Sequence, residues 1–382
     1  MNFIFKLNYL FLFLFLFLFP NLSIGETTVK PIIGYGSSDA VLPAKNQELF
    51  YMGFNLGYQS IIKAKEFKNG LITRQISDGS QLGAIKSANQ LLQEGVKVIV
   101  GFPTSHEALL VGKQVKNSGI LTIFCGAGHS ELATLGNSVF TTGESMKYGV
   151  EKMLGFIKKT FSKKKGFIIT NPYAVFSKNL SDSILKNNII KNENIDLIQL
   201  NLDQSLKLSD EDLRKISLEK NGYLLMTTYA DESVKVLEQF ENKQIDIPIL
   251  ANSAWTTGDV DFIRRFLTNR KSPAYVVTLW IAGSEDSKPF EEAVKKQYGR
   301  EATSEIAYGY DLGVIIAKTL NQVNTNVTKE EIAKKFRNIR CFDGLSSGKM
   351  CFSINGGHVE RKISFVKFTK DGFKPINFET GK

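Results

Sequence analysis

Two short stretches carry residue types at a spacing that can hold a ligand. Thr104-Ser105-His106-Glu107 has the form of a capping box, in which the Thr104 hydroxyl accepts the Glu107 amide and the Glu107 carboxylate reaches back. With one amide capped, those of Ser105 and His106 stay free at the positive end of a helix, where an anion is favoured, and the Ser105 hydroxyl adds a further donor. Downstream, Cys125-Gly126-Ala127-Gly128-His129-Ser130 is a loop of small residues whose glycines allow close backbone approach. A capped helix and a tight turn would use the same residues in any α/β protein.

Other chemistry-bearing patterns are weaker. Gly344-Leu345-Ser346-Ser347-Gly348 spells a nucleophile elbow, but the following residues predict a strand rather than a helix, and no acid stands between it and His358. A hairpin turn is expected there. Gly34-Tyr35-Gly36-Ser37-Ser38-Asp39 begins like a dinucleotide fingerprint but lacks its third glycine. His106 and His129 sit on the two ligand-competent loops with no carboxylate or nucleophile placed by spacing, so local capping is expected of them. Three histidines without CxxC or HExxH spacing predict no metal site, and nothing calls for a cofactor or for catalysis.

The elements around those loops alternate. Leu82, Ile85, Ala88 and Leu92 recur at helical spacing and stop at Gly95; a β-branched run over 96–100 ends at Gly101. Ala108, Val111, Gly112 and Val115 give the next helix its apolar face, and 120–124 makes the next strand. Before them come a strand at 31–34, a polar loop at 35–45, a helix over 47–65 and a strand over 71–76; after them comes a short strand at 139–142. From Ser145 the alternation restarts, with strands at 166–170, 195–200, 223–227, 248–251 and 274–279 between helices at 146–159, 176–186, 210–218 and 231–240. Helices at 290–298, 306–320 and 329–336 precede an antiparallel tail at 349–352, 362–368 and 373–378, with turns at Asn355-Gly356-Gly357 and Asp371-Gly372. Two βαβ series of similar size predict two α/β lobes with parallel sheets, and in such sheets the ligand loops lie at the carboxyl ends of the strands.

At 382 residues the chain exceeds one compact core. Residues 1–25 read as a signal peptide: Lys6 opens it, Leu and Phe alternate over 10–19, and Ser23-Ile24-Gly25 suits cleavage, so the mature chain is expected to start at Glu26. An apolar run of about ten residues is too short for a bilayer. Removing Lys6 leaves 47 basic and 38 acidic residues, a formal +9. The densest basic run, Lys158-Lys159 through Lys163-Lys164-Lys165, reads as a solvated helix end rather than a nucleic-acid surface. Export permits disulfides, and the turn within 342–348 brings Cys341 and Cys351 together, leaving Cys125 single.

The order of Gln81-Leu82, Gly95, 96–101, Ser105, Gly119-Ile120-Leu121, Gly126-Ala127-Gly128 and Glu131-Leu132, with Ala307-Tyr308-Gly309-Tyr310-Asp311 and Phe342-Asp343-Gly344 later, resembles the type I periplasmic solute-binding proteins, the leucine/isoleucine/valine-binding group. The resemblance covers nearly all of the mature chain. It implies two Rossmann-like lobes joined by three crossings with the ligand between them. The crossings then fall near Ser145, Leu279 and Phe342, giving a first lobe of 26–145 plus 280–341 and a second of 146–279 plus 342–382. It further implies a periplasmic, monomeric, non-enzymatic receptor that delivers a small polar ligand, an amino acid or a related carboxylate or amide, to an ABC transporter permease. A periplasmic sensor for a membrane signalling partner is the alternative. Ligand contacts are implied at Ser105, Gly126, Ala127, Gly128, Phe176, Tyr229 and Trp255. At Asn252-Ser253-Ala254-Trp255, where amino-acid-binding members place an acid for the ligand ammonium, this chain has none, so no strong preference for a zwitterion is expected. A strong preference would give that role to another acid, Asp231 or Asp259.

Overall fold

Short runs rich in Ile, Val and Phe, without polar alternation, form strands covered on both faces, and the amphipathic segments between them form the covering helices. The structure, a computed structural model, describes residues 32–38, 44–63, 67, 72–257, 260–324, 326–346, 348–370 and 372–378. The leader over 1–25 and the start at Glu26 lie outside the described residues, as do Pro31, residues 39–43, Leu71, Asp259, Ser347 and Asp371.

The first lobe opens with β1 (Ile33–Ser38), α1 (Ala44–Ile61), β2 (Ile72–Ser77), α2 (Gln81–Gln93), β3 (Val98–Gly101), α3 (Ser105–Val115), β4 (Leu121–Phe124), a 3-10 turn (Ser130–Thr134) and β5 (Val139–Glu144). The second runs α4 (Met146–Thr160), β6 (Gly166–Thr170), α5 (Val175–Leu185), α6 (Asn188–Asn192), β7 (Leu197–Asn201), α7 (Asp210–Leu218), β8 (Tyr223–Met226), α8 (Ala230–Asn242), β9 (Ile249–Ala251), α9 (Val260–Thr268) and β10 (Ala274–Thr278). The chain returns to the first lobe for α10 (Lys288–Tyr298), α11 (Ser304–Leu320), α12 (Lys329–Ile339), β11 (Cys341–Gly344), β12 (Gly348–Phe352) and β13 (Gly357–Glu360), then ends on the second with β14 (Ser364–Thr369) and β15 (Gly372–Pro375).

The sheets have the orders β11-β12-β13-β5-β4-β3-β1-β2 and β15-β14-β10-β9-β8-β6-β7. In each the first strand of its series lies between the second and the third, so strand order reverses between β1 and β3 and again between β6 and β8. Crevices outside the carboxyl ends at such reversals are where open α/β sheets bind ligands.

The structure moves the third crossing. Phe342 does not leave the first lobe: its ring stacks on Phe336, Phe336 meets Phe140 edge-on, and β13 runs parallel to β5 from Gly357 opposite Phe140. Residues 342–360 therefore complete the first sheet, and the chain crosses only between β13 and β14. Strand β13 was concealed by Gly356-Gly357, which reads as a turn; both glycines have positive φ, and a Cβ on Gly356 would meet the Gly136 carbonyl oxygen at 1.9 Å. The inner face of α2 also differs from expectation: Ala84, Ser87, Ala88 and Leu91 are buried, and Leu82 is 76% exposed.

One seam sets the floor of the first lobe. Helices α1 and α11 meet backbone to backbone at Gly53, Gly57, Gly309 and Gly313; a Cβ on Gly309 would lie 2.0 Å from the Phe50 carbonyl oxygen and one on Gly53 2.0 Å from that of Ile306. That contact holds Phe50 and Tyr308 in the cleft wall.

Candidate functional site

Thr104 caps α3 as its sequence suggests, its hydroxyl accepting the Glu107 amide at 3.4 Å. The Glu107 carboxylate accepts from the Thr104 hydroxyl at 2.8 Å and is buried. Phe102 just before has φ 43, and its ring packs on Gly36, where a Cβ would collide with it at 2.1 Å. This non-glycine residue in left-handed backbone turns the chain out of β3 so that Ser105 begins its helix at the cleft. Across the cleft, Tyr229 stands at the N-terminal end of α8, three residues after β8, and its phenol lies near the Ser105 amide. Burial raises the Tyr229 phenol well above its ordinary value, and the charges of Glu232, Asp231 and Glu107 add to that. The phenol stays neutral and faces the amide expected to meet an anion.

Ser105, Gly126, Gly128, Phe176 and Tyr229 share one cavity with Phe50, Glu144, Ser253, Thr257 and Tyr308. It measures about 70 Å³, room for on the order of five waters, which limits a ligand to a small molecule. Two expected contacts are absent from its wall. Trp255 is 0% exposed and packs in the second-lobe core with Val236, Ile263 and Ala251, because the 3-10 turn over Ser253–Thr256 aims it inward. Ala127 points into the first-lobe cluster with Phe124 and Leu132, while its carbonyl accepts from the Thr141 hydroxyl at 2.7 Å. Gly126 lines the cavity, yet its amide donates to the Thr142 hydroxyl at 3.0 Å.

The lobes are closed on each other. The Ser130 amide donates to Asn179 Oδ1 at 3.1 Å and the Asn179 amide returns to Ser130 Oγ at 3.0 Å; Ser253 Oγ donates to Glu144 Oε1 at 3.4 Å. Val175 of the second lobe packs against the first-lobe cluster.

A family model described as Periplasmic binding protein matches residues 78–373. The chain belongs to the periplasmic binding protein family. Solved structures agree on the two-lobed type I fold. A leucine binding protein from Thermotoga maritima overlays at TM-score 0.76 with 16% identity, covering 90% of this chain and 97% of that one. A solute binding protein from R. palustris, solved with benzoate, overlays at 0.75 with 16% identity over 91% and 95%. An ABC transporter substrate-binding protein from Desulfitobacterium hafniense, solved with Leu, overlays at 0.71 with 16% identity over 91% and 99%. Identity this low shows a shared fold. Among curated proteins none matches this sequence.

In this periplasmic binding protein Phe50, Tyr308 and Glu144 are among the wall residues that the sequence did not announce. Phe50 and Tyr308 are carried by the glycine seam, and the only sequence signal was the Ala307–Asp311 segment itself. Glu144 ends β5 at the first crossing and is an acid where the expected position, 252–255, has none. Asp231 does not line the cavity, though it lies near Tyr229.

Beneath the cleft, Asp311 and Arg361 form a buried pair at 3.6 Å. Asp311 accepts the amides of Leu345 and Ser346 at 2.5 and 3.0 Å, and Ser346 Oγ bonds both partners of the pair. The serine of the elbow-like spelling is thus a buried brace in a hairpin. Arg361 also donates to the Thr142 carbonyl at 2.6 Å, tying the third crossing to the strand that leads into the first. Burial raises the Asp311 carboxyl against the lowering effect of Arg361. Cys125 sits beside this pair, its thiol pushed up to about 12 by burial, which leaves it unreactive. His129 caps the 3-10 turn, Nδ1 accepting the Glu131 amide at 3.2 Å. His358 approaches the Gly128 and His129 carbonyls, and burial lowers it to about 4. Among the described residues no group of acids, histidines and cysteines is arranged to hold a metal, and no helix is long and apolar enough to cross a membrane.

Proposed function

We propose that this protein captures a small polar organic solute in the cleft by lobe closure and delivers it to an ABC transporter in the membrane, working in the periplasm as a monomer and performing no chemistry on its ligand. The observation that carries the proposal is the closed cavity at the facing carboxyl ends of both sheets, bridged by hydrogen bonds between lobes in a member of a ligand-binding family. Ser105, Gly126, Gly128, Phe176 and Tyr229 are proposed to touch the ligand. A polar acceptor on the ligand would meet the Ser105 amide and hydroxyl, and Phe176 with Tyr229, 5.3 Å apart between ring centres, would cover its apolar part.

Calorimetry of the mature protein against small carboxylates, amides and amino acids tests this. At least one is expected to bind at one site per chain, with Ser105→Ala weakening it by about 0.5–3 kcal/mol. Binding that survives a side chain filling the cleft, as in Gly128→Leu, would place the site elsewhere.

A further inference from the structure

A second cavity lies beside the crossings, a groove of about 880 Å³, within the size range of small-molecule sites and far larger than the closed cleft. Its two walls belong to different lobes. Ser145, Lys147, Tyr148 and Glu151 come from the first crossing and the opening turns of α4, Lys349, Cys351 and Glu360 from β12 and β13 of the first sheet, and Lys362 from the third crossing. Charge is unmatched in this groove. Lys147, Lys349 and Lys362 are exposed, and among the described residues none of them forms an ion pair. Glu151 and Glu360 border the groove, equally unpaired, while Arg361 is balanced by Asp311. Three lysines against two glutamates leave one positive charge over. Lys147 also stands in the first turn of α4, which holds no acid and where the positive end of the helix disfavours a cation. Apolar surface is open in the same place: the Tyr148 ring stays 36% exposed although the Lys152 ammonium stands over it at 5.1 Å, and the Cys341–Cys351 disulfide and Val359 adjoin it.

We infer that this groove is a second ligand site, taking a small organic monoanion with an apolar body, and that its occupant ties the two lobes together beside the crossings. The anionic group lies by Lys147 and Lys362, where it offsets the surplus charge and meets the positive end of α4, and the apolar body covers Tyr148 and the disulfide. A neutral apolar molecule leaves the lysines unmatched. A dianion exceeds the surplus that Glu151 and Glu360 allow. The groove is separate from the cleft: Glu144 lines the cleft, Ser145 next to it in the chain lines the groove, and the two cavities share no wall residue. The inference therefore goes beyond solute capture and does not depend on which solute the cleft takes. An occupant that touches α4 on one side and β12 with β13 on the other resists relative movement of the lobes, which makes this an effector site.

The test is fluorescence titration of the mature protein with 8-anilinonaphthalene-1-sulfonate, an amphipathic monoanion, and with N-phenyl-1-naphthylamine, the same ring system without the sulfonate. The anion is expected to bind at one site per chain, about tenfold or more tighter than its neutral analogue. Lys147→Glu combined with Lys362→Glu should weaken it by about tenfold or more, and Tyr148→Ala should weaken both probes. Lys334→Glu combined with Lys335→Glu, the same change of net charge on exposed lysines of α12, should leave binding as in wild type. Hydrogen exchange with the anion bound should slow on both walls together, over 145–151 and over 348–362. Equal binding of the two probes, binding indifferent to the Lys147 and Lys362 changes, equal weakening by the α12 pair, protection of one wall only, or no binding overturns the inference. Each of these outcomes leaves solute capture standing, because no cleft residue is altered.

Discussion

Replacing Arg361 by Met perturbs the most deeply buried charge pair among the described residues. Asp311 is 0% exposed and Arg361 4%, so the substitution strands a carboxylate in the first-lobe core and frees the Thr142 carbonyl it had bound. Breaking a buried pair from one side costs about 3–5 kcal/mol, and for a lobe of this size each kcal/mol moves Tm by roughly 2–4 °C, so a drop of at least roughly 6 °C is expected at neutral pH. The pH dependence identifies the cause. Burial already raises the Asp311 carboxyl, and without Arg361 it rises further above its unfolded value of about 3.9. The folded state then holds its proton more tightly than the unfolded chain, so stability is kept below about pH 4 and lost as pH climbs through the folded value. The gap between variant and wild type should widen from pH 5 to pH 8. Asp311→Asn with Arg361→Met should recover much of the loss and flatten the profile. Urea titrations at the two pH values read both effects. A single variant within about 1 kcal/mol of wild type at pH 8, or a gap that widens toward acid, would refute the reasoning.

Reduction of the Cys341–Cys351 disulfide, which joins directly opposed residues of the β11–β12 hairpin, should destabilise the first lobe by about 2–3 kcal/mol in the chain-entropy model, as read by melting with and without reductant. Peptide mapping that finds both thiols free would remove the basis for that figure. Gly309→Ala drives a Cβ to 2.0 Å from the Phe50 carbonyl oxygen and should cost about 1–3 kcal/mol while weakening ligand binding through displaced Phe50 and Tyr308; unaltered stability and affinity would mean that the helix seam yields freely. His358 is lowered by burial to about 4, so the unfolded chain takes the proton first and stability should fall as pH drops from about 6.5 to about 4, by on the order of 3 kcal/mol at most. His358→Leu should flatten that acid limb; an unchanged limb would assign it to other groups.

The alternation of strands and helices was legible because buried parallel strands and amphipathic helices write short-range patterns. The parallel strands of both sheets from β1 to β10 and the loops after β3 and β4 follow from them. What escaped depends on partners distant in sequence. Phe342 belongs to the first lobe because Phe336 and Phe140 wait there, and no local feature announces that. Trp255 offers the aromatic surface a ligand site wants, yet a 3-10 turn rotates it into the core. Glu144 was passed over because an acid was sought in the second lobe, while closure brings one from the end of β5 against Ser253. Leu82 misled by a phase error of the kind that a helix with two mildly apolar faces invites.

Native mass spectrometry of the mature protein, incubated with a mixture of small amines, amino acids, carboxylates and amides, tests solute capture in the cleft most directly. A single adduct of small mass at one per chain is expected on wild type, absent from Gly128→Leu, whose added side chain enters the cavity beside Phe176. The absence of any adduct on wild type, or an adduct that persists on a folded Gly128→Leu variant, would contradict it.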